Sequence, residues 1–400
     1  MNYYTYKQDI VRLAAIGIPY YSFSIPWPRV VPFGVANSPV NTQALDHYDD
    51  LINTCIKYGV KPIVTLVHAD APVTVNIDNA TTFVDDYMFY AKQVMTRYAD
   101  RVPYWVTFNE PNIGIGLQFS TYDGNTNILM AHATLYRWYK TTLKGTAQIT
   151  LKFANNAAVP RDTSNASDIA AANRYQDFIV GIMANPLFLG QQYPSSVLNT
   201  PNLNLTALTS AQIAYIHGSI DFFSVDPYVS QFASAPPDGL AACVTDPTNA
   251  LWPTCAQLTN VQSNGWLQGL KSEDYAYLSP QYCRQQLGYL WNTYKPSAIM
   301  ITEFGFNIRA EYGQTLDVQR FDLERSLYFQ QNLREVIRAI YEDGINVIGA
   351  LAWSFVDNNE FGSYEEQYGL QTVNRTSGNF ERHYKRSLFD FVDFFHSFVQ

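Results

Sequence analysis

The chain has 400 residues, 47% of them hydrophobic, with 26 Lys and Arg against 35 Asp and Glu and a net charge of −9. That length suits one large globular domain or two smaller ones, and the lack of any basic run excludes an electrostatic footprint for nucleic acid. No stretch approaches the roughly 20 apolar residues of a membrane span, and the opening MNYYTYKQDI has no hydrophobic signal-peptide core.

In chain order, a helix-like segment over Tyr6–Ala15 precedes the first candidate strand, Tyr20–Ile25. Apolar spacing predicts a helix over Thr42–Tyr58, with Leu45, Leu51, Ile52, Cys55 and Ile56 on one face and Gly59 as its C-cap signal. Strand Pro62–Val67, helix Phe83–Tyr98 and strands Tyr104–Phe108 and Gln148–Phe153 follow, then helix Asp168–Met183 and strand Asp221–Val225. Residues 226–280 read as the longest irregular stretch, and a loop that long inside a compact domain is usually functional. Strand Ala298–Thr302, helix Leu316–Glu342, strand Val347–Trp353 and a last helix over roughly Leu388–Phe398 complete the chain. Strands alternating with helices predict a parallel α/β sheet covered by helices. No domain boundary or internal repeat interrupts the pattern. The expectation is therefore a single (β/α)₈ TIM barrel domain over residues 1–400. Seven candidate strands stand where a closed barrel needs eight, so the barrel is expected to be incomplete at its N-terminus, its first strand missing.

Of the four cysteines, Cys243 and Cys255 bracket a loop rich in Pro, Thr and Asn. It reads as a disulfide-closed excursion in an oxidising compartment, with two free thiols as the other reading. No Cys-x-x-Cys pair or Cys/His cluster has zinc spacing, so no metal or other cofactor is implied. Sequons at Asn79, Asn165, Asn204 and Asn374 are about as many as chance would give. The expected location is extracellular if the native start lies upstream of Met1, and cytoplasmic otherwise. Most of the 29 Tyr, 24 Phe and 7 Trp are accounted for by an aromatic core, although the supply also suits stacking on sugar faces.

Two acids directly follow apolar strands: Glu110 in WVTFNEPN and Glu303 in IMITEFG. In a barrel the C-terminal ends of the strands form the active-site face. Glycosidic bond cleavage needs two carboxyl groups, one to protonate the leaving oxygen and one to attack C1 or activate water. An isolated Glu at a strand end is more often an ion-pair partner, and it is the surrounding motifs that tip the balance here.

Those motifs resemble glycoside hydrolase family 1, the β-glucosidases and β-galactosidases, with the character of secreted fungal members. The resemblance rests on TFNEP and ITE-x-G, on YKQDIVRLAAIGIPYYSFSIPWPRVVPFG and PIVTLVHADAP, on NPLFLGQQYPSSV and DFFSVDPYVS, and on ALAWSFVDNNEFGSYEEQYGL and HYKRSLFDFVDFF. It implies a retaining exo-β-glycosidase with Glu110 as acid/base and Glu303 as nucleophile, their carboxyl groups about 5–5.5 Å apart. It implies that Asn109 binds the sugar 2-hydroxyl, His68 a glycone hydroxyl and Glu360 the outer hydroxyls, with Trp353 as the floor of the site and Phe361 beside them. Tyr228 would donate to Glu303, with Arg29 as a second candidate support. Each has a plainer reading: His68 or Trp353 as core, Asn109 as a turn cap, Tyr228 as loop packing and Glu360 as a solvated acid.

The sequence departs from the family pattern in several places. The Gln-Ile-Glu-Gly first strand is absent, Tyr-Arg-Phe-Ser is Tyr21-Ser22-Phe23-Ser24, and His-Trp-Asp is His68-Ala69-Asp70. Thr-Glu-Asn-Gly is Thr302-Glu303-Phe304-Gly305, and Glu-Trp is Glu360-Phe361. The alternative to the enzyme is an impaired, sugar-binding pseudoenzyme. The implied partner is a β-linked glycoside or oligosaccharide, with no nucleic acid and no membrane; the sequence does not specify an oligomeric state, the sugar, or hydrolysis over transglycosylation.

Overall fold

The computed structural model describes residues 2–113 and 121–398. The chain forms two compact units, residues 1–154 with 177–224 and residues 155–176 with 225–400.

The first unit is built on four parallel strands in sequential order, β1 (Tyr20–Ser24), β2 (Lys61–Val67), β3 (Tyr104–Phe108) and β4 (Gln148–Thr150). Helix α1 (Asn2–Ala15) precedes β1, and no strand precedes α1 among the described residues. Helices α2 (Trp27–Val30) and α3 (Thr42–Lys57) join β1 to β2, α4 (Phe83–Tyr98) joins β2 to β3, and α5 (Gly124–Trp138) lies between β3 and β4. A parallel strand needs such a crossover to return, and the crossover helices cover the sheet, so β2 buries Ile63, Val64, Thr65 and Leu66 in succession instead of alternating. Asn41 caps α3 by accepting from the Ala44 amide, and Gly59, at φ +75°, supplies the left-handed residue just past its end. Aromatic rings fill this core: Trp27 stacks on Tyr90 at 5.2 Å and Tyr87 on Phe108 at 4.5 Å.

A second sheet has β5 (Lys152–Pro160), β6 (Phe223–Ser234), β7 (Ile299–Phe304) and β8 (Val347–Ala352) in the order β8-β7-β6-β5, with β7 and β8 parallel; Lys152, Phe153 and Ala154 of β5 and Phe223 and Ser224 of β6 count with the first unit, the rest with the second. Helices α6 (Ala166–Gln176), α7 (Pro280–Tyr294), α8 (Leu323–Tyr341) and α9 (Arg386–Phe398) belong to this unit. Phe304 of β7 packs on Tyr328 and Phe329 of α8 and on Phe391 of α9.

Several sequence expectations need correction. The strand expected at Asp221–Val225 runs on to Ser234, so Pro227 and Tyr228 sit in β6 and not in a loop. The stretch after it is not featureless: it holds a short helix, Leu240–Thr245, and a strand, Gln257–Thr259, antiparallel to β6. The helix expected over Asp168–Met183 stops being α-helical at Gln176, continuing through π-helical turns at Asp177–Gly181 and Asn185–Leu189. The helix expected over Leu316–Glu342 breaks at Phe321 and Asp322. Cys243 and Cys255 are disulfide-bonded, and Arg174 donates to the Pro253 and Thr254 carbonyls of the loop they close. No helix among the described residues is long and apolar enough to cross a membrane.

Candidate active site

In the first unit the chain turns sharply at the ends of β2 and β3. After β2, Ala69 is left-handed at φ +54°, and Asp70 folds back to accept from the His68 amide at 2.9 Å. Burial pushes the Asp70 carboxyl up to about 6, against the pull of the nearby Arg29 charge. After β3, the Asn109 amide donates to Val67 O at 2.8 Å, and Glu110 takes φ +45°. A left-handed non-glycine residue costs on the order of 1–3 kcal/mol and persists only where neighbours over-determine it. The Asn109 side chain stands 3.4 Å from His68 Nε2, as donor to a ring nitrogen that accepts. Its Oδ1 is buried and has no hydrogen-bond partner among the described residues. Arg29, on α2, lies 4.3 Å from the centre of the Tyr3 ring and hydrogen-bonds Tyr48. Tyr3 and Tyr48 both belong to the first unit.

In the second unit Glu303 sits near the C-terminal end of β7, 8% exposed, and accepts from the Tyr228 hydroxyl at 3.2 Å. Because Pro227 and Tyr228 are part of β6, the phenol projects from a rigid strand. Thr302 fixes the same two strands together by donating to Asp226 Oδ1 at 2.6 Å. Gly305 must be glycine because a Cβ there would lie 2.1 Å from the Trp353 carbonyl oxygen. The chain leaves β8 through Trp353, whose indole N–H donates to Glu360 Oε1 at 2.8 Å. Burial raises the Glu360 carboxyl to about 7; hydrogen bonds from Trp353 and Asn358 oppose the rise, and the Glu303 and Asp274 charges add to it. Phe361 is 93% exposed and holds φ +47°.

The loop carrying Trp353 and Glu360 is anchored by ion pairs that sequence reading missed. Lys385 donates to Asp357 at 3.0 Å and to Glu311 at 2.8 Å, and Arg325 pairs with Glu311 and with Asp322. All five are buried. Apart from Arg325 and Asp322, three residues apart, the partners lie up to 74 residues apart in sequence, so local spacing does not reveal the network. The same holds for Asp274, whose carboxyl burial and the Glu366 charge raise.

A family model described as glycosyl hydrolase family 1 matches residues 1–399. The chain is a glycoside hydrolase of the (β/α)₈ barrel class. It belongs to glycosyl hydrolase family 1. Among curated relatives, beta-glucosidase 1B of Phanerodontia chrysosporium is 30% identical over 403 residues, covering 93% of this chain and 72% of the relative. Myrosinase 1 of Brevicoryne brassicae is 30% identical over 400 residues, 93% of this chain and 82% of its own. Among solved structures, beta-glucosidase 2 of Trichoderma reesei superimposes with a TM-score of 0.92 at 26% identity, covering 100% of this chain and 89% of that one. A family 1 β-glucosidase of Humicola insolens, solved with glucose, gives 0.92 at 26% identity over 100% and 88% of the two chains.

Proposed function

We propose that the protein is a retaining exo-β-glycosidase acting on β-glucosides or β-galactosides, with the catalytic pair in a single barrel domain. The observation that carries the reading is Glu303, buried at the end of β7 with the Tyr228 hydroxyl on one carboxylate oxygen. That bond holds the other oxygen in one direction, as an attacking group requires. Glu303 attacks C1 while Glu110 gives its proton to the leaving oxygen, so the C1–O bond breaks as the ester forms and the aglycone departs as an alcohol. Glu110, now a carboxylate, takes a proton from water as that water attacks C1, and Glu303 leaves as the carboxylate. The Asn109 Oδ1, without a partner among the described residues, suits a sugar 2-hydroxyl, because a buried acceptor without a donor is costly until a ligand supplies one. His68 and Glu360 would hold further glycone hydroxyls over Trp353, with Phe361 at the rim. The β-glucosidase relatives favour a glucose glycone. The Cys243–Cys255 bond favours secretion, since disulfides persist in oxidising compartments.

Proton NMR of the first sugar released tests the mechanism: the β-anomer should appear first and then mutarotate. Initial α-anomer would overturn the retaining step. A sugar that binds and is never turned over would favour the sugar-binding alternative.

Glu360 gives a second test. As pH rises through about 7 it becomes an ionised acceptor, so glucose as an inhibitor should bind more tightly above that pH. The gain should be about tenfold, the scale separating charged from neutral acceptors. In Glu360→Gln the inhibition constant should be flat across the same range; a bend that survives would assign the titration to another group.

A further inference from the structure

We infer that Asn112 is a positioning residue for Glu110: its side chain pins the left-handed turn that aims the acid/base. The inference rests on Glu110 being that acid/base. Asn112 is 5% exposed and lies two residues past Glu110. Its amide nitrogen donates to Ala154 O at 2.7 Å and to Ile179 O at 2.7 Å. Its Oδ1 accepts from the Ala154 amide at 3.0 Å. The side chain thus pairs with both backbone polar groups of one residue on β5, as a neighbouring strand would. Its remaining N–H holds the π-helical turn over Asp177–Gly181. Both donor hydrogens are used, so no other side chain of this size reproduces the set.

Glu110 itself has φ +45°, a conformation that relaxes unless held. Three backbone bonds bracket it: Asn109 N to Val67 O at 2.8 Å, Glu110 N to Lys152 O at 3.0 Å, and Ile113 N to Glu110 O at 3.3 Å. Val67 and Lys152 fix the start of the turn on β2 and β5. The bond after it, from Ile113, is local and long. Asn112 ties the outgoing chain to β5 through both of its bonds to Ala154. π-helical turns recur at functional sites, and the Asn112 side chain joins this one to the acid/base segment.

Two substrates separate positioning from general stability. A dinitrophenyl β-glucoside leaves without a proton; an alkyl β-glucoside needs one from Glu110. In Asn112→Ala, counted by active-site titration with a fluorosugar inactivator, kcat/KM for the alkyl glucoside should fall about 10–100-fold, part of what general acid catalysis supplies. For the dinitrophenyl glucoside it should change less than about threefold, and added azide should raise its turnover, because a displaced base slows attack by water. If Asn112→Ala yields too little titratable enzyme, Asn112→Ser is measured the same way. Equal losses on both substrates, with no azide effect, would overturn the inference. Glu110→Ala is the control: if it also lacks the leaving-group dependence, the acid/base assignment has failed; if it shows the dependence and the Asn112 variants do not, the positioning role alone has failed.

Discussion

Glu303→Ala is expected to lose on the order of 10⁶-fold in turnover, the scale seen when a covalent nucleophile is removed. No other group on β7 can form the glycosyl ester, because Thr302 is committed to Asp226 and the next residue is Phe304. Glu110→Ala should lose less, about 10²–10⁴-fold, the contribution of general acid–base catalysis. The two variants then part in how azide restores them. In Glu110→Ala the ester still forms from a substrate with a good leaving group, and azide displaces Glu303 from C1, giving the β-azide. In Glu303→Ala azide enters the space of the lost carboxylate and displaces the aglycone directly, giving the α-azide. Chromatography of the azide products reads the outcome. Exchange of the two anomers would exchange the roles of the two residues, and unchanged activity in either variant would remove it from the mechanism.

Lys385→Met should destabilise the protein by about 3–5 kcal/mol, the cost of removing one partner from a buried ion pair. Lys385 is fully buried between Asp357 and Glu311, and its loss leaves those two carboxylates with Arg325 as their nearest compensation. The deficit should depend on pH. Burial pushes the Asp357 carboxyl above its ordinary range, against Lys385, so its contribution to stability is present below the unfolded value and is lost as pH rises through the folded one. Burial also pushes Glu311 up, but the Arg325 and Lys385 charges outweigh it and hold it low, so its contribution is present above the unfolded value and is lost in acid. Without Lys385 both carboxyls move upward, and the deficit should grow from pH 4.5 to pH 7. Urea unfolding at the two pH values measures this. A cost below about 1 kcal/mol, or one independent of pH, would show that the network does not act as a buried charge cluster.

The strands that lead to Glu110 and Glu303 were legible because continuous apolar runs such as WVTF and IMIT are what sheets buried on both faces require. Their acids were legible because each follows its run directly. What the sequence hid was set at long range. The helix expected over Leu316–Glu342 breaks where Asp322 is drawn inward to Arg325 and to the Ser387 amide and hydroxyl, and spacing does not reveal Ser387, 65 residues away. The π-turn at Asp177–Gly181 keeps good helical periodicity in sequence, and the close packing there, where a Cβ on Gly181 would meet Pro194 at 2.8 Å, is set by a residue distant in sequence. Tyr228 read as loop because Pro227 precedes it, yet β6 continues through both. Asn112 carries no signal beyond its place after Asn-Glu-Pro.

The two cysteines outside the disulfide have a use of their own. Cys55 lies in α3 of the first unit and Cys283 in α7 of the second, both buried, and burial pushes each thiol up to about 12. Neither forms the reactive thiolate while its surroundings are closed. Each unit therefore carries one silent chemical tag, and mass-resolved alkylation during gradual denaturation would time the opening of the two halves separately in unaltered protein.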